Sequence, residues 1–258
     1  MRSRARVPLL ALAVALATAT PAAAMGDPAL AALQVGLRAR GVYSGPIDGV
    51  VGPATSLAVR ALQRSTGVQA DGVASPATRA LLGPWARHRL GSRSLDVGAS
   101  GWDVAAFQFL LAWHGFPSGP IDGAFGMRTA RAVLRYQRWL GIAEDGVAGP
   151  ATLLALRSGV PRCPVDLAWP AAGAVTSPFG PRWEGFHAGV DIAAPRATPV
   201  LAAHGGRVAW AGWRGGGWGR LVVVAGDGMR ILYAHLSRVE VAVGQAAMER
   251  SRELAESG

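Results

Sequence analysis

The 258-residue chain contains no lysine, a single cysteine and, beyond its first 24 residues, no apolar run long enough to span a bilayer. The lone Cys163 excludes a disulfide within the chain, so its modules must be held by packing or by metal. The net charge of +10 is therefore carried by arginine alone. Such a balance favours nucleic acid, anionic lipid or an anionic wall polymer as partner, although the scattered arginines favour a solvated basic surface over a dedicated anion site.

The N-terminus predicts export. Three arginines within residues 2–6 precede an apolar run at 7–19, and Ala22-Ala23-Ala24 has the small-x-small form of a signal-peptidase site. The run is shorter than the roughly 20 residues that a stable membrane anchor needs. We therefore expect residues 1–24 to be a signal peptide and the mature protein to be secreted, soluble and free of a membrane anchor. Export also argues against a nucleic-acid partner.

An internal repeat organises the first 160 residues. The stretch GPIDGVVGPAT at 45–55 returns as GPIDGAFGMRT at 119–129, and ADGVASPAT at 70–78 returns as EDGVAGPAT at 144–152, both displaced by 74 positions. Gln34 and Gln63 recur as Gln108 and Gln137 at the same displacement. A shared period of this length indicates two copies of one structural unit.

Each copy predicts a three-helix module of about 60 residues, a size at which one domain is marginal but viable. Apolar residues at helical spacing open both copies, and the Asp-Gly pairs between the later segments are typical of turns, where glycine supplies a positive φ. Prolines follow these turns at positions typical of the first helical residue, with Ser75 as a candidate N-cap. The opening apolar residues are Leu30, Leu33 and Leu37, then Phe107, Leu110 and Leu111; the prolines are Pro53, Pro76 and Pro150.

The succession Leu-Gln, Gly-Pro-Ile-Asp-Gly, Thr, Gln and Asp-Gly-Val-Ala resembles the peptidoglycan-binding repeat of bacterial wall hydrolases. On this resemblance, repeat 1 covers 27–83, a basic linker 84–96, and repeat 2 covers 97–158. The resemblance implies attachment to peptidoglycan but leaves the contacting residues unknown. Asp48 and Asp122 are interpreted as turn residues. Trp113, Tyr136 and Trp139 could stack on sugars, but aromatics at helical spacing more often belong to a core.

After a second linker at 159–166, glycine, valine and tryptophan replace the helical pattern. RVAWAGW and GRLVVVAGDGMRILYAHL predict strands, the latter two joined at 226–228, so 167–258 is expected to be an antiparallel β-domain. Within GFHAGVDIAAP, His187 and Asp191 are expected to project from one side of an extended segment. Imidazole nitrogen and carboxylate oxygen are both good zinc ligands, but this spacing alone is also compatible with a surface pair or a core histidine.

The region 177–245 closely resembles the lysostaphin-like (LytM-type) zinc endopeptidases, which cut peptide cross-links of peptidoglycan. The matching elements are SPFGPR, His-x-Gly-x-Asp-Ile, a glycine-valine turn and Tyr-x-His-Leu-Ser. The resemblance implies that His187 and Asp191 bind one Zn²⁺ and that His235 assists the water or its oxyanion. In such a site, zinc lowers the pKa of its water to about 7 and polarises the carbonyl while an imidazole moves protons.

The resemblance breaks off after Gly244-Gln245. The family continues to a His-x-His motif that supplies the third zinc ligand, whereas this chain ends in AAMERSRELAESG. His204 is predicted to lie on the surface, and His88, His114 and Cys163 have no supporting motif for metal binding. The polar, helix-prone segment 248–256 is expected to leave an unpaired sheet edge. The β-domain is therefore expected to be incomplete, and the segment from about Ala246 is either the product of a frameshift or the genuine end of the chain.

The sequence thus predicts a multidomain chain with two small all-α three-helix repeats and an incomplete antiparallel all-β peptidase-like domain. Two functions remain open. One is an exported, peptidoglycan-binding zinc metalloendopeptidase, and the other is a catalytically inactive wall-binding or regulatory protein with a degenerate peptidase domain. Cross-link specificity and oligomeric state are not encoded in any pattern of these residues.

Overall fold

The computed structural model describes residues 25–159, 167–182, 185–226, 228–247 and 253–257. The predicted signal peptide, Cys163 and nearly all of the predicted linker at 159–166 lie outside the described residues. Within the described ranges, no helix combines the length and the apolar character that crossing a membrane requires.

Both repeats fold as three α-helices, as predicted. Proline opens four of the six helices, three of them at the predicted positions and the fourth at Pro28, since its fixed φ suits the first turn. Ser75 caps its helix by accepting a hydrogen bond from the Thr78 amide, as predicted. Repeat 1 consists of α1 (Pro28–Ala39), α2 (Pro53–Ser65) and α3 (Pro76–Ala80), and repeat 2 consists of α4 (Trp102–Trp113), α5 (Met127–Leu140) and α6 (Pro150–Arg157).

The recurring glutamines hold the recurring turns. In repeat 2, the buried Gln108 amide donates to Asp122 Oδ1 at 3.0 Å and Thr129 Oγ1 at 3.3 Å, and its carbonyl accepts from the Gly123 amide at 2.8 Å. Gly123 has φ 74°, a left-handed conformation that favours glycine. The same network is built around the other three glutamines, Gln34, Gln63 and Gln137. The conserved spacing of the two copies therefore serves structure, and Asp48 and Asp122 are turn residues.

The two repeats share a core. Helix α1 packs on α4, so that Leu33 and Leu37 belong to the same buried cluster as Ala105 and Phe109. The connector between the repeats takes part in this packing, because residues Gly83–Ala86 form a 3₁₀ turn whose Trp85 ring meets Trp102 edge to face at 6.2 Å. A second cluster fills repeat 2 alone. The repeats are thus packed against one another.

The β-domain is antiparallel throughout the described part, as predicted. Its main sheet has six strands, and two short ribbons flank it. The sheet has the order β5-β10-β8-β7-β6-β9, and the ribbons are β1-β4 and β2-β3. The strands are β1 (Ala174–Ser177), β2 (Gly180–Arg182), β3 (Gly185–His187), β4 (Asp191–Ala193), β5 (Pro199–Leu201), β6 (Gly206–Arg214), β7 (Gly219–Gly226), β8 (Met229–Val239), β9 (Ala246–Ala247) and β10 (Glu253–Ser257).

The C-terminal segment differs from the expectation of a helix-prone tail beside an unpaired edge. Residues 253–257 form β10, which pairs antiparallel with β5 on one side and β8 on the other. Pairing satisfies backbone groups that both neighbouring strands would otherwise leave open, and this tertiary gain overrides the local helix preference. The expectation of an unpaired edge beside β8 is therefore wrong.

Candidate active site in the β-domain

The two predicted zinc ligands meet at the junction of the two ribbons. His187 ends β3 and Asp191 begins β4, and His187 Nε2 lies 3.2 Å from Asp191 Oδ1. The expectation of one extended segment is corrected here. Residues 188–190 break it into two strands, because β3 pairs with β2 whereas β4 pairs with β1. The two side chains are brought together by this turn and not by the alternation of a single strand.

The ring of His187 is oriented by a backbone carbonyl. Its Nδ1 lies 3.0 Å from the Pro178 carbonyl oxygen, so Nδ1 carries the proton and donates. Nε2 of the neutral ring then presents a lone pair toward the carboxylate of Asp191. Two lone pairs at 3.2 Å repel unless a proton or a cation lies between them. A metal-binding histidine is usually oriented in this way, because one ring nitrogen donates to a carbonyl and the other nitrogen is left to bind the metal.

Asp191 is an anion bound by Arg182. Arg182 donates from Nη2 to Asp191 Oδ2 at 2.5 Å and also bonds the Ser177 hydroxyl. The hydrogen bond from Arg182, together with the positive charge of this guanidinium, lowers the pKa of Asp191 below its ordinary value. The carboxylate is therefore charged at neutral pH and available as an oxygen ligand.

His235 occupies a distorted point of β8. Its φ is 57°, in the left-handed region that non-glycine residues rarely adopt, and its amide donates to the Trp218 carbonyl at 3.1 Å. The register between β7 and β8 shifts here, because Arg220 pairs with Leu236 whereas Val222 pairs with Tyr233. One extra residue therefore bulges from β8 at Ala234-His235. Bulges of this kind re-aim side chains beside active sites, and no sequence pattern signalled this one.

The His187–Asp191 pair fits a zinc ion in part. Two ligand atoms about 2.0–2.2 Å from a tetrahedral zinc ion lie roughly 3.3–3.6 Å apart, close to the separation seen here. In the part of the chain that the structure describes, no group of three His, Cys, Asp or Glu side chains converges on a metal position. The geometry thus brings together two candidate ligands, whereas a catalytic zinc normally has three protein ligands.

His204 is not a surface residue, and that prediction is wrong. It is 2% exposed, and neither ring nitrogen has a hydrogen-bond partner among the described residues. It follows Ala202 and Ala203, which pack in the β-domain core. This run of small apolar neighbours is the sequence feature that could have predicted its burial. His114 is also buried, and its Nε2 contacts the Leu156 carbonyl at 3.1 Å, inside repeat 2 and away from the β-domain.

The ribbon that carries His187 docks on repeat 2. Trp113 at the end of α4 packs edge to face against Phe179 at 5.9 Å and Phe186 at 5.5 Å, and these two rings lie 4.9 Å apart. Phe186 is the neighbour of His187 along the chain, so the candidate site is braced by a repeat. Trp113 and Tyr136 are buried, as the core interpretation predicted, whereas Trp139 is 39% exposed.

Comparison with known families agrees with this architecture. Residues 26–82 and 100–156 match the peptidoglycan binding domain family, and residues 185–258 match peptidase family M23. The chain therefore carries two peptidoglycan-binding repeats followed by an M23 peptidase domain.

Named relatives match parts of the chain. It is 45% identical over 103 residues to the N-acetylmuramoyl-L-alanine amidase CwlM of Mycobacterium tuberculosis, covering 38% of this chain and 25% of the relative. It is 41% identical over 78 residues to the DD-carboxypeptidase/endopeptidase Mpg of Neisseria meningitidis, covering 27% of this chain and 18% of the relative. The solved structure of Helicobacter pylori Csd3 aligns at 28% identity and TM-score 0.32, over 35% of this chain and 26% of that one. The chain thus spans about a quarter or less of these relatives.

Proposed function

We propose that this protein is an exported zinc metalloendopeptidase that hydrolyses peptide cross-links of peptidoglycan while its repeats hold it on the wall. The observation that carries the proposal is the His187–Asp191 pair. Nδ1 of the imidazole is committed to a carbonyl, and Nε2 faces a carboxylate at a separation close to that of two zinc ligands. The peptidase family match and the wall-acting relatives support the substrate class.

In the proposed site, His187 and Asp191 would hold the zinc ion through Nε2 and Oδ1. When bound, zinc would supply a Lewis acid that polarises the scissile carbonyl and acidifies a water molecule. Arg182 keeps Asp191 ionised and limits its rotation by binding Oδ2. His235, exposed on the bulge of β8, is the proposed proton acceptor and donor for the water and the leaving amine.

The repeats contribute attachment. Two modules on one chain convert the second binding event into an intramolecular one, which raises the effective concentration of the peptidase domain at its substrate. The docking of Trp113 on Phe179 and Phe186 adds a fixed orientation between repeat 2 and the site. The predicted signal peptide and the arginine-based net charge of +10 support an anionic wall polymer outside the cell as the target.

A second candidate is a wall-binding protein whose peptidase domain does not hydrolyse. The specific observation in its favour is the ion pair between Arg182 and Asp191, which can neutralise the carboxylate without a metal.

Digestion of purified sacculi separates the two candidates. The peptidase should release new amino groups at a rate that a chelator abolishes and added zinc restores. A His187→Gln variant should release none, whereas His88→Gln, which changes a histidine in the connector between the repeats, should match the unmodified protein. Sedimentation of the unmodified protein with sacculi, without any release of amino groups, would establish the binding protein instead.

A further inference from the structure

Repeat 1 contains an open cleft that its glutamine networks do not use. The cavity has a volume of about 810 Å³ and lies between α1, α3, the 3₁₀ turn and the first residue of α4. Leu30, Pro84 and Trp102 supply apolar lining, and Ala74 is also among the lining residues. The size is within the range of ligand-binding clefts, and the lining combines apolar surface with a small number of charged groups.

The charged groups in the cleft are mainly arginines. Of the described residues that line it, three are arginines, Arg79, Arg87 and Arg89, and one is acidic, Asp27. Asp27 Oδ1 accepts from the Ala29 and Leu30 amides as the cap of α1. The fold thus gathers arginines that are scattered along the sequence, and the local potential favours an anion.

Two of these arginines are free to bind a ligand. Arg79 is committed to structure, because it donates to the Ala86 carbonyl and its guanidinium lies 4.6 Å from the centre of the Trp102 ring. The side chains of Arg87 and Arg89 are exposed and make no hydrogen bond or ion pair with any residue in the described ranges. Burial and then the charge of Arg89 lower the pKa of Arg79, which is consistent with a concentration of positive charge.

Repeat 2 shows what kind of chain this groove accepts. There Leu95 in the connector forms an isolated antiparallel bridge with Ala148, with Leu95 N to Ala148 O at 3.2 Å and Ala148 N to Leu95 O at 2.8 Å. Leu95 is 1% exposed and packs in the same cluster as Leu153. The groove of repeat 2 is therefore occupied by an extended peptide, which is the protein's own chain.

Among the described residues, which begin at position 25, nothing pairs with the equivalent edge of repeat 1. Ala74 lies 74 residues before Ala148, and its amide and carbonyl make no hydrogen bond to any described residue. Arg79 stands in repeat 1 where repeat 2 has Leu153. The two copies share a backbone edge, but in repeat 1 no described residue pairs with that edge, and arginines line the cleft beside it.

We infer that the cleft of repeat 1 binds an extended peptide bearing free carboxylates, namely the acidic peptide stem of peptidoglycan. The peptide backbone pairs with Ala74 as Leu95 pairs with Ala148, and the carboxylates bind Arg87 and Arg89. Addition of an extended peptide to an exposed edge is a common mode of recognition, and guanidinium groups match carboxylates in geometry. The identification of the peptide as a wall stem rests on the proposed function, whereas its extended backbone and its carboxylates are inferred from the residues of the cleft.

Calorimetric titration of the chain 25–258 with a soluble wall-stem tetrapeptide tests the inference. The peptide is used with free carboxylates and with its carboxylates amidated. Because the Arg87→Gln/Arg89→Gln double variant removes both guanidinium groups that would bind the carboxylates, it should bind the free acid at least about tenfold more weakly. The amidated peptide should bind both proteins equally. The Arg64→Gln/Arg131→Gln double variant, which removes two exposed helix charges elsewhere, should change affinity by less than about threefold.

The outcomes are distinguishable from failure of the proposed function. Equal binding of acid and amide, or equal loss in both double variants, would overturn the cleft assignment. So would failure of the stem peptide to bind while the protein still sediments with sacculi. Failure of the unmodified protein to sediment with sacculi would instead overturn wall attachment itself. Circular dichroism of each double variant tests whether the fold is intact. A stem peptide N-methylated at its pairing amide should bind more weakly, because it cannot donate to the backbone at Ala74, and unchanged affinity would contradict pairing at this edge.

Discussion

Truncation of Gln108 to alanine tests whether the recurring glutamines hold the fold of the repeats. The side chain is 2% exposed, and its carbonyl accepts from the amides of Asp122 at 3.1 Å and Gly123 at 2.8 Å. Its amide donates to Asp122 Oδ1, to the Ala124 carbonyl at 3.1 Å and to Thr129 Oγ1. One substitution therefore removes the five hydrogen bonds through which the Gln108 side chain ties the Asp-Gly turn and Thr129 to α4.

The expected loss follows from the groups left behind. A buried polar group without a partner costs about 1–3 kcal/mol, and the buried Gly123 amide is such a group in the variant. Removal of the side-chain carbons adds a cavity term of about 1 kcal/mol. We therefore expect Gln108→Ala to lower the free energy of unfolding by about 3 kcal/mol, a large part of the 5–15 kcal/mol typical of a domain.

Denaturant unfolding followed by circular dichroism at the helical band measures this loss. Gln69→Ala is the matched control, because Gln69 is exposed and its substitution should stay within about 0.5 kcal/mol. Gln108→Glu keeps the acceptor but places a second carboxylate beside Asp122, so its stability relative to the unmodified protein should improve as the pH falls. If Gln108→Ala unfolds at the same midpoint as Gln69→Ala, the network does not hold the turn.

Three further perturbations have defined outcomes. Arg93→Ala removes the partner of the buried Asp103 carboxylate, which lies 2.7 Å from Arg93 Nε. The free energy of unfolding should fall by about 2 kcal/mol, less than for a fully buried pair because the arginine is partly solvated. A fall within about 0.5 kcal/mol, typical of a surface substitution, would contradict this. Trp113→Ala should lower the free energy of unfolding by about 3 kcal/mol and speed hydrogen exchange in β2 and β3, because it removes the ring on which Phe179 and Phe186 pack. Unchanged exchange in these strands would show that the ribbon does not depend on repeat 2. Hydrogen bonds from the Val147 amide and then Gln137 lower the pKa of Asp145 from 3.8, so its stabilisation is present above that pH and lost in more acidic solution. Asp145→Asn should flatten the acid side of the stability profile, and an unaltered profile would refute the assignment.

The repeats could be predicted because their signals are local and occur twice. The apolar spacing from Leu30 to Leu37 and the prolines at helix starts indicate the helices directly. The partnership of Gln108 with Asp122 and Thr129 is different, because it joins positions 14 and 21 residues apart and becomes apparent only in the fold. The sequence showed that these residues recur, but not that they form one network.

The candidate site was predictable in composition but not in shape. The identities of His187, Asp191 and His235 came from resemblance, whereas the break between β3 and β4 and the bulge at His235 depend on strand pairing between distant segments. The prediction of an exposed His204 rested on the polarity of the side chain. Its neighbours Ala202 and Ala203, which lie in the core, indicate burial instead. The cleft in repeat 1 was likewise invisible, since Arg79 and Arg89 converge only when the connector folds back on α3.

Zinc stoichiometry of the purified protein tests the central claim, that His187 and Asp191 form a metal-binding pair, most directly. Equilibrium dialysis against zinc followed by elemental analysis should give one ion per chain for the unmodified protein and for His88→Gln. It should give almost none for His187→Gln and for Asp191→Asn, which keeps the shape of the side chain but removes its charge. Equal zinc content in all four proteins, or no zinc in the unmodified one, would contradict the account.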